Sequence, residues 1–106
     1  MITDQATTTQ VVRWIDYRGE RLKVEQYGDT CTVFDGEGYP YARLSKRMDD
    51  GKTPPEGFFW LRWWSENQHL AEWLCDLGIL KTQGEAIQIT HWVTTLAARI
   101  EPEVLA

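Results

Sequence analysis

The stretch Phe58-Phe59-Trp60-Leu61-Arg62-Trp63-Trp64, followed at once by Ser65-Glu66-Asn67-Gln68, decides how this chain is read. Five of its first seven side chains are aromatic, and odd and even positions are both apolar apart from Arg62. A strand of this kind is buried on both faces, or is covered by a helix on one face and by a partner on the other. Alternation puts Phe59, Leu61 and Trp63 on one side and Phe58, Trp60, Arg62 and Trp64 on the other. The first set is expected to face the core and the second to present a binding face. Ser65 with Gln68 three positions on fits a capping box, which ends the strand and opens a helix. Leu70, Trp73, Leu74 and Leu77 follow i, i+3, i+4, i+7 spacing and make one apolar face. Glu66 suits the positive end of the helix dipole, and Gly78 suits a left-handed cap. A helix is therefore predicted over residues 66–77.

Upstream of this stretch the pattern is β. Residues 1–10 are polar and Thr-rich and read as a flexible arm. Strands are predicted over residues 11–17, 21–27, 31–34 and 39–45, separated by Arg18-Gly19, Gly28-Asp29 and Asp35-Gly36-Glu37-Gly38. Leu22 and Val24 alternate with Lys23 and Glu25, the pattern of a half-buried antiparallel strand. Residues 46–57 (KRMDDGKTPPEG) carry charge, Gly and a Pro pair but no periodicity, and make a long surface loop. Downstream, residues 82–85 resemble a second capping box, and Ile89, Trp92, Val93, Leu96 and Ile100 satisfy helical spacing. The β-branched residues Ile87, Ile89, Thr90, Val93, Thr94 and Thr95 favour a strand, which is the reading taken for residues 86–96. The expectation is an α+β domain over residues 11–100, with residues 101–106 as a tail. It is an antiparallel sheet of five to six strands with one main helix packed on one face.

The chain has 106 residues, six Trp and a formal net charge of -5. An acidic chain argues against duplex nucleic acid, whose non-specific binding rests on Lys/Arg contacts to phosphate. Cys31 and Cys75 lie far apart with no CxxC, the N-terminus has no apolar signal core, and no apolar run is long enough to span a bilayer. These features point to a cytoplasmic protein with reduced thiols and no membrane association.

Cys31, Cys75, His69 and His91 are the candidate metal ligands, but zinc sites bring ligands in close pairs. His69 and Cys75 would project about 120° apart on a helix. Cys75 is expected to be buried, and no metal or cofactor is expected. There is no nucleophile elbow, phosphate loop or HExxH, and Asp49-Asp50 read as solvated loop charges, so no enzyme is expected. Binding remains. The first reading is a non-catalytic protein-binding module. It would use Trp60, Arg62 and Trp64 from the strand, with Asp49, Asp50 and Glu56 from the loop, as an aromatic and acidic face for a basic partner surface. The alternative is a single-stranded nucleic-acid binder with a sheet platform of Arg13, Trp14, Tyr17, Arg18, Tyr41 and Arg43. A third reading is a homodimer joined through a Trp-rich edge.

The segment Gly38-Tyr39-Pro40-Tyr41-Ala42-Arg43-Leu44-Ser45 resembles the GEPYATLTVN strand of a family of small bacterial proteins of unknown function carried by phages, plasmids and integrated elements. Trp64-Ser65-Glu66-Asn67 with the following helix and Gly78 resembles that family's WSEN block, and Thr82-Gln83-Gly84 with Trp92-Val93 resembles its closing strand. Lys46-Arg47 stand where that family has Val-Asn, and His91 where it has Gly. The resemblance implies a mobile-element setting and an α+β fold whose last segment is a strand. It supplies no reaction and no catalytic residues. By analogy with small acidic proteins of such elements, the expected role is inhibition of a host defence complex, in the manner of anti-CRISPR or antirestriction proteins, by steric blocking.

Overall fold

The structure, a computed structural model, describes residues 10–48, 51–88 and 93–102. The first half of the chain is an antiparallel meander of β1 (Gln10–Tyr17), β2 (Glu20–Tyr27), β3 (Thr30–Phe34) and β4 (Pro40–Arg43), side by side in that order. The reversals follow from local chemistry. Arg18 and Gly19 take φ of 53° and 78° while Tyr17 pairs with Glu20 across them. Two positive φ values make the two-residue turn whose twist matches that of the strands. Between β3 and β4 the Asp35 carboxylate accepts from the backbone N–H groups of Glu37 and Tyr39, at 2.9 and 3.0 Å. This Asx turn closes the hairpin. Alternation then sorts the faces: Ile15, Leu22, Val24, Cys31 and Val33 are buried, while Trp14 and Arg21 are exposed.

The second half holds β5 (Phe59–Trp60), a 3-10 turn (Ser65–Asn67), α1 (Gln68–Asp76), β6 (Leu80–Gln88) and β7 (Thr94–Ile100). β5, β7 and β6 form a three-stranded antiparallel sheet in that order. The two sheets meet at one bridge, Ser45 opposite Leu61. It is flanked by hydrogen bonds from the Arg62 N–H to the Leu44 carbonyl (2.7 Å) and from the Lys46 N–H to the Trp60 carbonyl (2.9 Å). Leu70, Ala71 and Leu74 of α1, with Phe59, Leu80, Ala98 and Ile100 of the second sheet, close over the inner face of the first. Gln26, fully buried, pins the layers: its Oε1 accepts from the Ile100 N–H (2.8 Å) and its Nε2 donates to the Gly57 carbonyl (2.9 Å). The fold is α+β and antiparallel with one α-helix. It is not one sheet of five to six strands: among the described residues seven strands divide four and three. A single bridge is too narrow a contact to merge them.

Several expectations are corrected. The strand over residues 58–64 shrinks to Phe59–Trp60 plus the bridge at Leu61. Its two sides still separate, since Phe59 and Leu61 enter the main core, whereas Phe58 and Trp60 join Met48, Ala97 and Ile87 in a second cluster. Trp63 leaves the alternation and is 38% exposed. Strand geometry ends at Leu61, and the Trp63 Nε1–H donates to the Thr94 carbonyl at 2.6 Å. Ser65 does not form a capping box, because its φ of 62° is left-handed and a 3-10 turn precedes α1. An N-cap serine needs an extended backbone. Instead the Glu66 carboxylate takes its own N–H and the Ser65 hydroxyl.

Gly78, at φ 75°, does end the helix. The Ile79 N–H bonds the Leu74 carbonyl and the Gly78 N–H bonds the Cys75 carbonyl, both at 3.0 Å, which is a Schellman closure. The reversal leaves Leu77 56% exposed, and Cys75 is exposed rather than buried. The segment read as one strand over residues 86–96 is two strands, β6 and β7, and β6 starts as early as Leu80. Thr82 therefore sits in a strand and starts no helix. Residues 89–92 between the strands lie outside the described residues, as do 1–9 of the expected arm and 103–106 of the expected tail. Among the described residues no helix is long and apolar enough to cross a membrane.

Candidate functional site

The seam between the sheets positions the site. Asn67 is 2% exposed, and its Nδ2 donates to the carbonyls of Arg43 (2.6 Å) and Arg62 (2.9 Å). One buried amide thus holds together the backbones of two arginines, one at the end of β4 and one just past β5. Beside them the buried Ser45 hydroxyl accepts from the Cys31 N–H at 3.0 Å, which fixes the end of the first sheet. From this frame Arg43, Lys46, Arg47 and Arg62 surround a cleft of about 690 Å³, with Trp64 and Val93 in its wall. The described lining contains four cationic side chains and no carboxylate. A narrower hollow of about 240 Å³ continues past Arg43, Lys46 and Arg47 toward Asp29, Lys52 and the Trp60 wall.

In a chain of net charge -5 this is a sharp local reversal of sign. A concave surface lined by one sign focuses the field and concentrates counter-ions, here anions. Arg62 is partly neutralised by Glu66, whose Oε1 lies 3.7 Å from its guanidinium. The Glu66 carboxyl is held below its ordinary value by its own backbone N–H first, then by the Ser65 hydroxyl and Arg62. Trp64 is extended, at φ -96° and ψ 173°, and its carbonyl accepts from the Asn67 N–H at 3.2 Å. Its indole meets Trp63 edge-on, with centroids 6.1 Å apart and planes at 90°.

Of the residues expected to bind a partner, Arg62 and Trp64 come together in this cleft. Trp60 does not reach the surface: it is 7% exposed, packs with Met48 and Ala97, and donates Nε1–H to the Lys52 carbonyl at 3.1 Å. Met48 and the Lys52 backbone lie over this face, so the chain itself supplies cover that a partner was expected to give. Glu56 is exposed in the turn before β5 and is not in the described lining of the cleft. Asp49 and Asp50 lie outside the described residues. Of the aromatic residues of the run, Trp64 stands among the basic side chains of the cleft. Lys46 and Arg47 were missed because in sequence they look like ordinary loop charges.

The expected sheet platform divides as well. Tyr17 is buried against Trp73, with centroids 5.0 Å apart, and Arg13 donates to the Glu101 carbonyl at 2.8 Å. Both have inward parity, opposite to that of Trp14. Arg18 lies over the Tyr17 ring at 5.1 Å, Tyr41 is exposed at the sheet margin, and Arg43 belongs to the cleft. Trp14, 48% exposed, has Arg21 at 5.4 Å and Lys23 at 5.8 Å from its ring centroid. Trp14 pairs with Lys23 and Lys23 with Phe34, so the three form one row across β1, β2 and β3. Asp16 and Glu25 offset Arg21 and Lys23 at 3.5 Å each, so this face is electrically balanced where the cleft is not.

His69 lies on α1 and is exposed, Cys31 is buried in β3, and His91 is outside the described residues. Among the described residues no three His, Cys, Asp or Glu are grouped to hold a metal ion. No family model, no curated protein and no solved structure matches this chain.

Proposed function

We propose that this chain is a non-catalytic binding module that holds a nucleic-acid strand by its phosphates in the cleft between the two sheets. The observation that carries this reading is the meeting of Arg43, Lys46, Arg47 and Arg62 around one concavity that also contains Trp64. Guanidinium groups suit phosphate because they offer several donors in a planar fork. The site therefore moves from the sheet face to the seam, and the preferred partner changes from a basic protein surface to a polyanion. Fluorescence anisotropy with a labelled oligonucleotide across a salt series tests this. Four phosphate contacts predict a log–log slope of about -3 for a single strand. Arg43→Glu with Arg47→Glu is expected to abolish binding, whereas Arg18→Glu, away from the cleft, leaves it unchanged. No binding at low salt would exclude the reading, because electrostatic affinity is greatest there.

A second reading rests on the open face of the first sheet. Trp14, 48% exposed beside Arg21, shares this face with Tyr27, 56% exposed at the far end of β2, and these residue types anchor protein interfaces. In this form the chain is a mobile-element inhibitor that covers a site on a bacterial defence complex. Trp14→Ala with Tyr27→Ala would then abolish co-purification of a host protein while oligonucleotide binding persists. Unchanged co-purification would count against it. Sedimentation would reveal a homodimer in either case.

A further inference from the structure

The cleft has more than phosphate chemistry. We infer, resting on the reading of the cleft as a nucleic-acid site, that it selects unpaired strands by stacking one splayed base on Trp64 while Arg43, Arg47 and Arg62 take the flanking phosphates. The cations alone account for a polyanion of any kind, but they do not account for an aromatic wall. Trp64 is half-buried in that wall beside Arg62, in a cleft of about 690 Å³ that is open to solvent. An open cleft of this size leaves room for one base with its neighbouring phosphates. A duplex keeps its bases paired and stacked, so it can offer this cleft phosphates but no free base face.

The indole is also set in advance. Trp63 meets it edge-on at 6.1 Å and is itself tied to the Thr94 carbonyl at 2.6 Å. The Trp64 carbonyl is held by the Asn67 N–H at 3.2 Å, and Asn67 in turn holds the backbones of Arg43 and Arg62. The backbones of Trp64, Arg43 and Arg62 therefore share one anchor. A preorganised ring loses little freedom on stacking, which is the condition for tight base–aromatic contact. Every base has a π face, so the predicted preference is for single strands over duplex, with weak preference among bases.

The test compares three ligands of equal length, a thymidine oligonucleotide, the same backbone without bases, and a duplex, with poly-glutamate as competitor. The native chain is expected to bind the thymidine strand about five- to a hundredfold more tightly than the abasic strand, the range covered by a stacked base, and to show quenched Trp emission. Trp64→Ala should make the two strands equivalent, and Trp64→Phe, which keeps a ring, should retain most of the difference. A thermal melt confirms that each variant folds. Equal affinity for the thymidine and abasic strands in the native chain, with the salt slope and the Arg43/Arg47 dependence intact, would overturn base stacking and leave the phosphate reading standing. Absence of all oligonucleotide binding, or displacement by poly-glutamate at equal charge, would overturn both.

Discussion

Asn67 shows how much one residue can decide. Its position after Trp64-Ser65-Glu66 reads as part of a helix start, yet its amide is buried and serves Arg43 and Arg62 at once. Asn67→Ala removes two hydrogen bonds and leaves both carbonyls short of a donor. The expected cost is about 2–3 kcal/mol, measured by urea unfolding. Oligonucleotide affinity should fall with it, because the two sides of the cleft lose their common tie. Glu66 belongs to the same scale. Its folded-state pKa is lowered, so its stabilising contribution is present above the ordinary value of 4.5 and is lost as pH falls through the lowered one. NMR titration of the carboxyl group should show a depressed midpoint that rises only partly in Arg62→Ala. The first cause is the backbone N–H of Glu66 itself, which that substitution leaves in place.

At the scale of elements, the helix end was legible and the helix start was not. Gly78 needs a left-handed backbone, a local property that sequence displays directly. A Cβ there would meet nothing within 4 Å, so Gly78→Ala should cost only the conformational strain, about 1 kcal/mol, read as a lowered unfolding midpoint. Ser65 failed as a cap because its backbone is left-handed, at φ 62°, and the chain reaches α1 through a 3-10 turn. The closing strands divide for a related reason. Residues 80–100 carry β-branched residues in their middle and at both ends, which indicate strand but not where the chain reverses. The two-residue strand β5 is the clearest case. Its aromatic density suggested a long strand, but the burial of Phe59 and Trp60 on opposite sides needed cover from α1 and from the loop after β4.

At the scale of the molecule, the charge is polarised. Net charge is -5, yet four cations gather at the seam without a carboxylate in its described lining. Overall acidity argued against duplex binding, and that argument holds for the surface as an average, not for a concave site. The thiols report on the whole fold. Cys75 is exposed on α1, and burial first, then Asp76 and Glu72, pushes its thiol up. Cys31 is buried in the core of the first sheet, and burial pushes its thiol up further. A thiol reagent in mild base should therefore modify one cysteine in the native chain, faster as pH rises, and the second only at the rate of global unfolding. Two equivalent thiols in the native state would contradict this core.

By itself the sequence determined the first four strands, their turns, the shared face of Leu22 and Val24, and the stop at Gly78. Each depends on residues a few positions apart, through turn dihedrals and strand alternation. Only the tertiary structure decided that Trp60 is core, that Trp63 is exposed, and that Arg43, Lys46, Arg47 and Arg62 surround one cleft. Burial and charge proximity are properties of pairs of segments. These segments meet only because Ser45 bridges Leu61 and Asn67 binds both arginine carbonyls, long-range contacts that no local pattern specifies.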